Sequence, residues 1–396
     1  MEKMSYPEYV AEALARLESA GHAAYLVGGS LRDMLLGIKA HDFDVATSAR
    51  PDETLRVFSD HRVIETGLQH GTVTVLFDHE PVEITTFRID GSYRDSRHPD
   101  SVTFTDCIAE DLSRRDFTVN AMAYSPTRGF ADPFSGREDL ERRVLRAVRD
   151  PKERFREDAL RILRAFRFSA QLGFEIEEKT LSAIADTKEG LSRIARERVG
   201  AECIRLLCSP RPEGALRAMM ATGVLPYVTG DFVPSKRSLA NMSEMPREDV
   251  GRLGLLLSDA TDAQISEILQ GLRCSTKQKK GTAAVVRGAK RCVNTPKDAA
   301  SLIAETGIYA SLAVRASVLL GISPPEAEAL VRDNRVPVSI GELAVSGKDL
   351  ASLGFRGAQI GQALDEMLVT VMENPAYNTR ERLLALAKER IEQKDE

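Results

Sequence analysis

The chain has 396 residues, 43% hydrophobic and 29% charged, enough apolar material for about two to three domains with buried cores. Its 54 Lys and Arg against 59 Asp and Glu leave a formal charge of −5, which argues against a surface coated in basic charge for nucleic acid but allows a local basic patch. There is no 18-residue apolar run and no hydrophobic core near Met1-Glu2-Lys3-Met4-Ser5-Tyr6-Pro7, so a cytoplasmic protein with no membrane partner is expected, and five scattered cysteines read as reduced thiols.

Residues 8–20 place Val10, Leu14 and Leu17 at helical spacing and predict a leading helix. The apolar run Leu26-Val27 then ends in Gly28-Gly29 and passes into the short helical pattern Ser30-Leu31-Arg32-Asp33. Without Cβ atoms the glycines let an anion approach the backbone, and the unpaired N–H groups opening a helix at Ser30 favour phosphate. Arg32 adds a charge on the first turn. A second apolar run holds His41-Asp42-Phe43-Asp44-Val45; in a strand Asp42 and Asp44 share one face while Phe43 and Val45 turn toward a core. Two carboxylates on one face suit Mg²⁺, and beside a phosphate cradle they supply the parts of a two-ion phosphoryl transfer. Taken singly, Gly-Gly is also an ordinary turn and Asp-x-Asp an ordinary solvated strand face.

Residues 72–77 and 82–87 predict two strands of a hairpin around Asp78-His79-Glu80-Pro81. Glu83 alternates with Val82 and Ile84 and leaves the core face, either as an exposed strand glutamate or as a third acidic group of the site. Residues 88–99 are polar, contain Gly and Pro, and read as a loop. In Arg114-Arg115-Asp116-Phe117-Thr118-Val119-Asn120-Ala121, Thr118 is placed to cap a helix that carries Met122 and brings Asp116 near Asn120. Residues 129–140 form a turn-rich connection, and from about residue 141 the pattern is helical. Residues 152–172 predict one long amphipathic helix with Phe155, Leu160, Leu163, Phe166 and Phe168 as its apolar positions and Glu157, Asp158 and Arg161 as neighbours on its polar face. All six histidines lie at or before His98, which excludes a downstream His-Asp phosphohydrolase domain. Further helices are expected at 197–207, 213–222, 251–257 and 264–272.

In this order the motifs resemble the nucleotidyltransferases of the DNA polymerase β type and, within them, the bacterial class II CCA-adding enzymes (tRNA nucleotidyltransferases). The resemblance is strongest over 25–174 and weaker between 205 and 335. It implies an α+β fold in which a polymerase β-like head with an antiparallel or mixed sheet (1–145) is followed by an all-helical neck with a base-reading helix (146–210), body (211–330) and tail (331–396). The implied reaction is template-independent addition of CCA to the tRNA 3′ end from CTP and ATP, with two Mg²⁺ ions and release of pyrophosphate. Asp42 and Asp44 would bind metal, with Glu83 as a third catalytic carboxylate. Gly28, Gly29, Ser30, Arg32 and Arg115 would hold the triphosphate, and Asp116 and Asn120 the ribose.

The resemblance gives base reading to Asp158 and Arg161, with Glu157 and Arg164 beside them, and the chemistry agrees. A carboxylate accepts from the exocyclic amine that cytosine and adenine share, and a guanidinium donates to the adjoining ring nitrogen or carbonyl. Uracil and guanine set a carbonyl against the carboxylate and leave acceptors unpaired. Residues 270–297 carry Arg273, Lys277, Lys279, Lys280, Arg287, Lys290, Arg291 and Lys297 with no acidic residue, either a solvated helix face or a track for tRNA phosphates. Of these, Lys277, Lys279, Lys280, Arg287, Lys290 and Arg291 are the candidate RNA contacts. The segment 88–99 stands where the resembled enzymes have a loop that helps the change from CTP to ATP; its undeleted length favours full CCA addition. A CC-adding or A-adding half of a split pair, a poly(A) polymerase, and a non-catalytic RNA-binding protein are the alternatives. A monomer or homodimer is expected.

Overall fold

Helix α1 (Glu8–Ser19) forms where the helical spacing predicts it, and Val10, Leu14 and Leu17 are its buried stripe. It is followed by β1 (Ala24–Val27) and, with no intervening loop, α2 (Gly28–Leu35). Residues 4–65, 67–91 and 102–395 are described by this computed structural model. The chain divides into one unit of Met1–Leu206 with Pro210–Val228 and a second of Leu207–Ser209 with Thr229–Glu396.

The first unit is built on a seven-stranded mixed sheet. Besides β1 it contains β2 (Phe43–Thr47), β3 (Arg62–Ile64), β4 (Thr72–Phe77) and β5 (Glu80–Thr86); β6 (Arg88–Asp90) and β7 (Val102–Phe104) form a separate pair, and β8 (Ala123–Ser125) and β9 (Gly129–Ala131) complete the sheet. The order is β3-β4-β5-β2-β1-β8-β9, and the β2–β5 pair is parallel while its other pairs are antiparallel. The β4–β5 hairpin turns through Asp78 and His79, both at positive φ (47° and 86°), the geometry that matches strand twist in a two-residue loop.

Alternation decides what each face carries. Phe43, Val45, Val73, Val75, Val82 and Ile84 join Val10, Leu14 and Leu17 in one core, while Val27 and Ala46 face a second core with Phe87 and Leu112. Each such side chain contributes about 1.5–3 kcal/mol by leaving water. Asp44, between Phe43 and Val45, therefore stands on the second face.

Three expectations change. Residues 88–90 are strand β6, paired with β7 rather than part of a loop, and the remainder of that segment, 92–99, lies outside the described residues. Thr118 opens only a 3₁₀ turn, Thr118–Asn120: its hydroxyl donates to Asp139 at 2.5 Å on helix α5 (Gly136–Arg142), and that helix's Gly136 packs so closely that a Cβ would lie 2.2 Å from the Thr118 carbonyl. The long helix over 152–172 is two, here numbered in chain order after α3 (Pro51–Val57) and α4 (Ile108–Ser113): α6 (Pro151–Glu157) and α7 (Leu160–Leu172). Asp158 is extended (φ −139°, ψ 101°) and its carboxylate accepts from Leu160 N at 3.0 Å, so a local side-chain bond competes with the helix.

Helices α8 (Glu178–Thr187), α9 (Arg196–Leu207) and α10 (Pro212–Thr222) follow, α10 packing on α7. The second unit is helical among its described residues. Arg252, in the helix Asp249–Leu256, is wholly buried and donates to the carbonyls of Met245, Leu207 and Ser209 at 3.0, 2.6 and 3.2 Å. Leu343, Leu350, Leu364, Met367, Val371 and Leu383 make a separate core within the last sixty or so residues. One stretch, Pro296–Leu319, has the length and hydropathy of a membrane span. A 3₁₀ turn at Gly307–Tyr309 divides it, and its Ala299, Leu302, Ala313 and Val314 pack with Ala327 and Val331.

Candidate active site

The site is assembled where β1 becomes α2. Gly28 sits at φ +77°, and a Cβ there would lie 3.1 Å from Asp44 Oδ2 and 3.2 Å from Arg115 Nη1, so any other residue would be strained and crowded against both. Pairing explains the convergence: Val27 lies opposite Asp44 on the antiparallel neighbour, and Asp44 lies opposite Glu83 on the parallel one. Asp42, two residues before Asp44, is exposed in the bend that precedes β2, and its charge reaches Asp44. Burial pushes the Asp44 carboxyl up to about 6; Arg115 opposes this, and the charges of Glu83 and Asp42 add to it.

That acidic face is short of positive charge, which is what a cation site needs before its ion arrives. Among the described residues no group of three or more His, Cys, Asp or Glu is placed to hold a metal ion, so Asp42, Asp44 and Glu83 do not form a complete ligand set by themselves. Hard carboxylate oxygens with open positions fit a divalent cation that also takes oxygens from a phosphate.

Beside this face lies a cavity of about 440 Å³ lined by Gly28, Gly29, Arg32, Asp44, Arg115, Asp116, Asn120, Asp158, Arg161 and Arg164. Ser30 lies behind it, its hydroxyl donating to the Val27 carbonyl at 3.2 Å. Arg32 is almost wholly buried: Nη1 donates to Asn120 Oδ1 at 2.7 Å, and Nε and Nη2 clamp Asp33 Oδ1 at 2.8 and 2.7 Å.

Asp116 is saturated. Its Oδ1 accepts from Phe117 N at 2.8 Å and Asn120 Nδ2 at 3.0 Å, and its Oδ2 from Arg164 Nε and Nη2 at 2.8 and 2.6 Å. Burial disfavours its charge, but the Arg164 guanidinium and the Asn120 amide outweigh that and hold the carboxyl far below its ordinary value. A carboxylate with four bonds has no acceptor site left for a hydroxyl. The remaining donors of Arg164 and Asn120 line the cavity in its place.

The base-reading candidates are held the same way. Glu157 accepts from Arg154 at 2.7 Å and from Arg161 at 2.7 Å, and Arg161 also donates to the carbonyls of Arg154 and Arg114 at 3.1 and 3.0 Å. Asp158 accepts from Arg198 Nη2 at 3.0 Å. Glu157 itself is not among the lining residues.

Sequence reading missed Arg114, Arg167, Phe168, Gln171 and Arg198, which also line the cavity. Phe168 is buried as its apolar position predicts, and it also carries the guanidiniums of Arg167, Arg32 and Arg164 at 3.9, 5.1 and 5.2 Å from its ring centre. Arg198 is forty residues from Asp158, a separation that carries no periodic signal.

The RNA candidates lie in the second unit. Lys277, Lys279 and Lys280 occupy the first turns of the helix Thr276–Ala289. Arg291 pairs with Glu305 at 2.5 Å, Arg287 approaches the same carboxylate at 3.7 Å, and Lys290 donates to the Ala260 carbonyl at 3.2 Å.

Comparison with known proteins bears on all of this. Residues 24–146 match the family model described as the poly A polymerase head domain, and residues 173–232 match that of the probable RNA and SrmB-binding site of polymerase A. The CCA-adding enzyme of Pediococcus pentosaceus is 35% identical over 92% of this chain and 93% of its own, and that of Lactobacillus helveticus 38% identical over 92% and 93%. The crystal structure of the Bacillus stearothermophilus CCA-adding enzyme in complex with CTP superposes with a TM-score of 0.81 at 30% identity, covering 99% of each chain.

Proposed function

The chain belongs to the CCA-adding enzymes, and on that premise we propose that it extends the tRNA 3′ end by C, C and A from CTP and ATP without a template, releasing pyrophosphate. The observation that carries the reading is the meeting of Gly28, Asp44 and Arg115 at one end of the cavity that Asp158 and Arg161 line. One end holds charge suited to a triphosphate; the other holds donors and acceptors suited to a base edge.

In this reading Gly28, Gly29, Arg32 and Arg115 hold the triphosphate, with Ser30 supporting the turn. Asp42 and Asp44, with Glu83 beside them, would hold two Mg²⁺ ions, which when bound neutralise phosphate charge and lower the pKa of an attacking hydroxyl. The 3′-hydroxyl gives up its proton to solvent and attacks the α-phosphorus; its O–P bond forms as the bond to pyrophosphate breaks. Asp116 orients Arg164 and Asn120 toward the sugar. Glu157 fixes Arg161, and Arg198 fixes Asp158, so the pair presents a rigid donor and acceptor to the base; rigidity is what lets a protein stand in for a template strand. Residues 1–145 and 146–210 act as head and neck, and 211–330 and 331–396 as body and tail on the tRNA. There Lys277, Lys279 and Lys280, with Arg287, Lys290 and Arg291, would meet phosphates.

The test uses tRNA transcripts ending before CCA, after C and after CC, each with Mg²⁺ and with CTP, ATP, UTP and GTP singly and together. Growth by C, C and A followed by arrest is the expected result. Addition of C alone, addition only to the transcript ending in CC, long A tails, or binding without growth would overturn it in favour of a split-pair enzyme, a poly(A) polymerase or an inactive scaffold.

A further inference from the structure

Asp111, near the end of α4, is a carboxylate with no exposed surface and no role in the chemistry above. Its Oδ1 accepts from Arg114 Nε at 2.9 Å and from the backbone N–H of Arg88 at 3.3 Å. Its Oδ2 is buried and accepts no hydrogen bond, although Arg115 Nη2 stands only 3.6 Å away. Arg115 has a matching deficit: its Nε is also buried without a hydrogen-bond partner. Both atoms lack a hydrogen bond, and the ion pair between the two side chains is the contact that Asp111 Oδ2 keeps.

At the other end of Arg115, Nη1 reaches the hollow at Gly28, beside Asp44 Oδ2. Arg115 therefore lies between two carboxylates, one buried in the protein and one at the metal face. Resting on the triphosphate reading of Arg115 above, we propose that Asp111 is a positioning residue. It holds Arg115 from behind so that the guanidinium is presented at Gly28 to the triphosphate rather than collapsing onto Asp44.

A neutral isostere separates this from a packing role. Asp111→Asn keeps the shape and the side-chain oxygen that accepts from Arg88 and Arg114 but removes the charge behind Arg115. The expected result is a rise of about tenfold in KM for both CTP and ATP, with kcat and the preference between nucleotides little changed, the pattern of lost uniform binding. Arg115→Ala should raise both KM values at least as much, and the double variant should be no worse than Arg115→Ala, because the two residues act as one unit. Asp111→Glu, which restores the charge one methylene further out, should recover most of the loss and serves as the readout if Asp111→Asn does not fold. Additive effects of Asp111→Asn and Arg115→Ala, or an Asp111→Glu variant no better than Asp111→Asn, would overturn the positioning role while leaving the triphosphate reading intact. Unchanged KM in Arg115→Ala would overturn both.

Discussion

Two groups of carboxylates, which reach the same cavity through Asp44 on one side and Asp116 and Asp158 on the other, are treated in opposite ways. On the strand face, Asp44 is half-buried beside the exposed Glu83 and Asp42 with Arg115 as its opposing cation, and its carboxyl is pushed up to about 6. On the helical side, Asp116 has a guanidinium and an amide on it, Glu157 has two guanidiniums and Asp158 has one. Unneutralised charge marks where a ligand must supply the counter-charge. Neutralised charge marks groups that hold other groups still.

The sharpest way to break that contrast is to remove a carboxylate from the strand face. Asp44→Ala, or Asp42→Ala, should reduce nucleotide incorporation by about a thousandfold or more, the scale of lost electrostatic stabilisation in a preorganised site. Single-turnover addition of CMP to a transcript ending before CCA measures it. Undiminished incorporation would remove that residue from the metal role.

On the helical side the corresponding change should cost the fold. Asp116→Asn leaves the half-buried Arg164 beside a neutral partner, a loss of about 1.5–3 kcal/mol for hydrogen bonds to a charged group. The pH dependence has a defined sign. Because the folded-state pKa of Asp116 lies below its unfolded value of 3.8, the stability it contributes is present above that value and is lost as pH falls through the folded pKa. Wild-type and variant denaturation midpoints should therefore differ widely at pH 7 and converge on acidification.

How much of this contrast was legible in the sequence depends on how far apart its parts lie. Gly28 and Asp44 were readable because strand alternation and a helix start are local patterns, and Phe43 and Val45 are buried as that alternation requires, whereas β2 begins only at Phe43 and leaves Asp42 just before it. Glu83 needed register, which no local window contains; its place opposite Asp44 comes from a parallel pairing across the sheet. The break at Asp158 was hidden because Glu157-Asp158-Ala159-Leu160 holds neither Gly nor Pro and the helical period runs on through it. What ends α6 is an extended residue whose carboxylate is taken by Leu160 N and by Arg198. Likewise the motif around Arg115 pointed to residue types suited to a nucleotide, but not to the saturation of Asp116 by Arg164, forty-eight residues on.

Between those two effects in kind lies Arg161. Held by Glu157 and two backbone carbonyls, it is a fixed donor array, so Arg161→Ala should loosen the choice among nucleotides as well as slow addition. An unpaired buried group costs about 1–3 kcal/mol, so discrimination of CTP and ATP against UTP and GTP should fall about ten- to a hundredfold. Competition assays with all four triphosphates read this directly; slower addition at unchanged selectivity would take Arg161 out of base reading.

The smallest effect tests the strand face from the side of stability. A carboxyl whose folded pKa is raised contributes stability that is fully present below its unfolded value, 3.8 for Asp44, and is lost as pH rises through the folded value of about 6. At neutral pH in a chelating buffer the ionised Asp44 should thus burden the fold by at most about 3 kcal/mol, since one pKa unit is worth about 1.4 kcal/mol. Asp44→Asn, which mimics the protonated group, should raise the melting temperature by a few degrees at pH 7 and by almost nothing at pH 4. Adding Mg²⁺ should stabilise the wild type and leave the variant nearly unmoved, closing the gap. A variant that melts below wild type in chelator at pH 7 would mean that the Asp44 charge is already compensated within the protein, and the distinction between the two faces of the cavity would fail there.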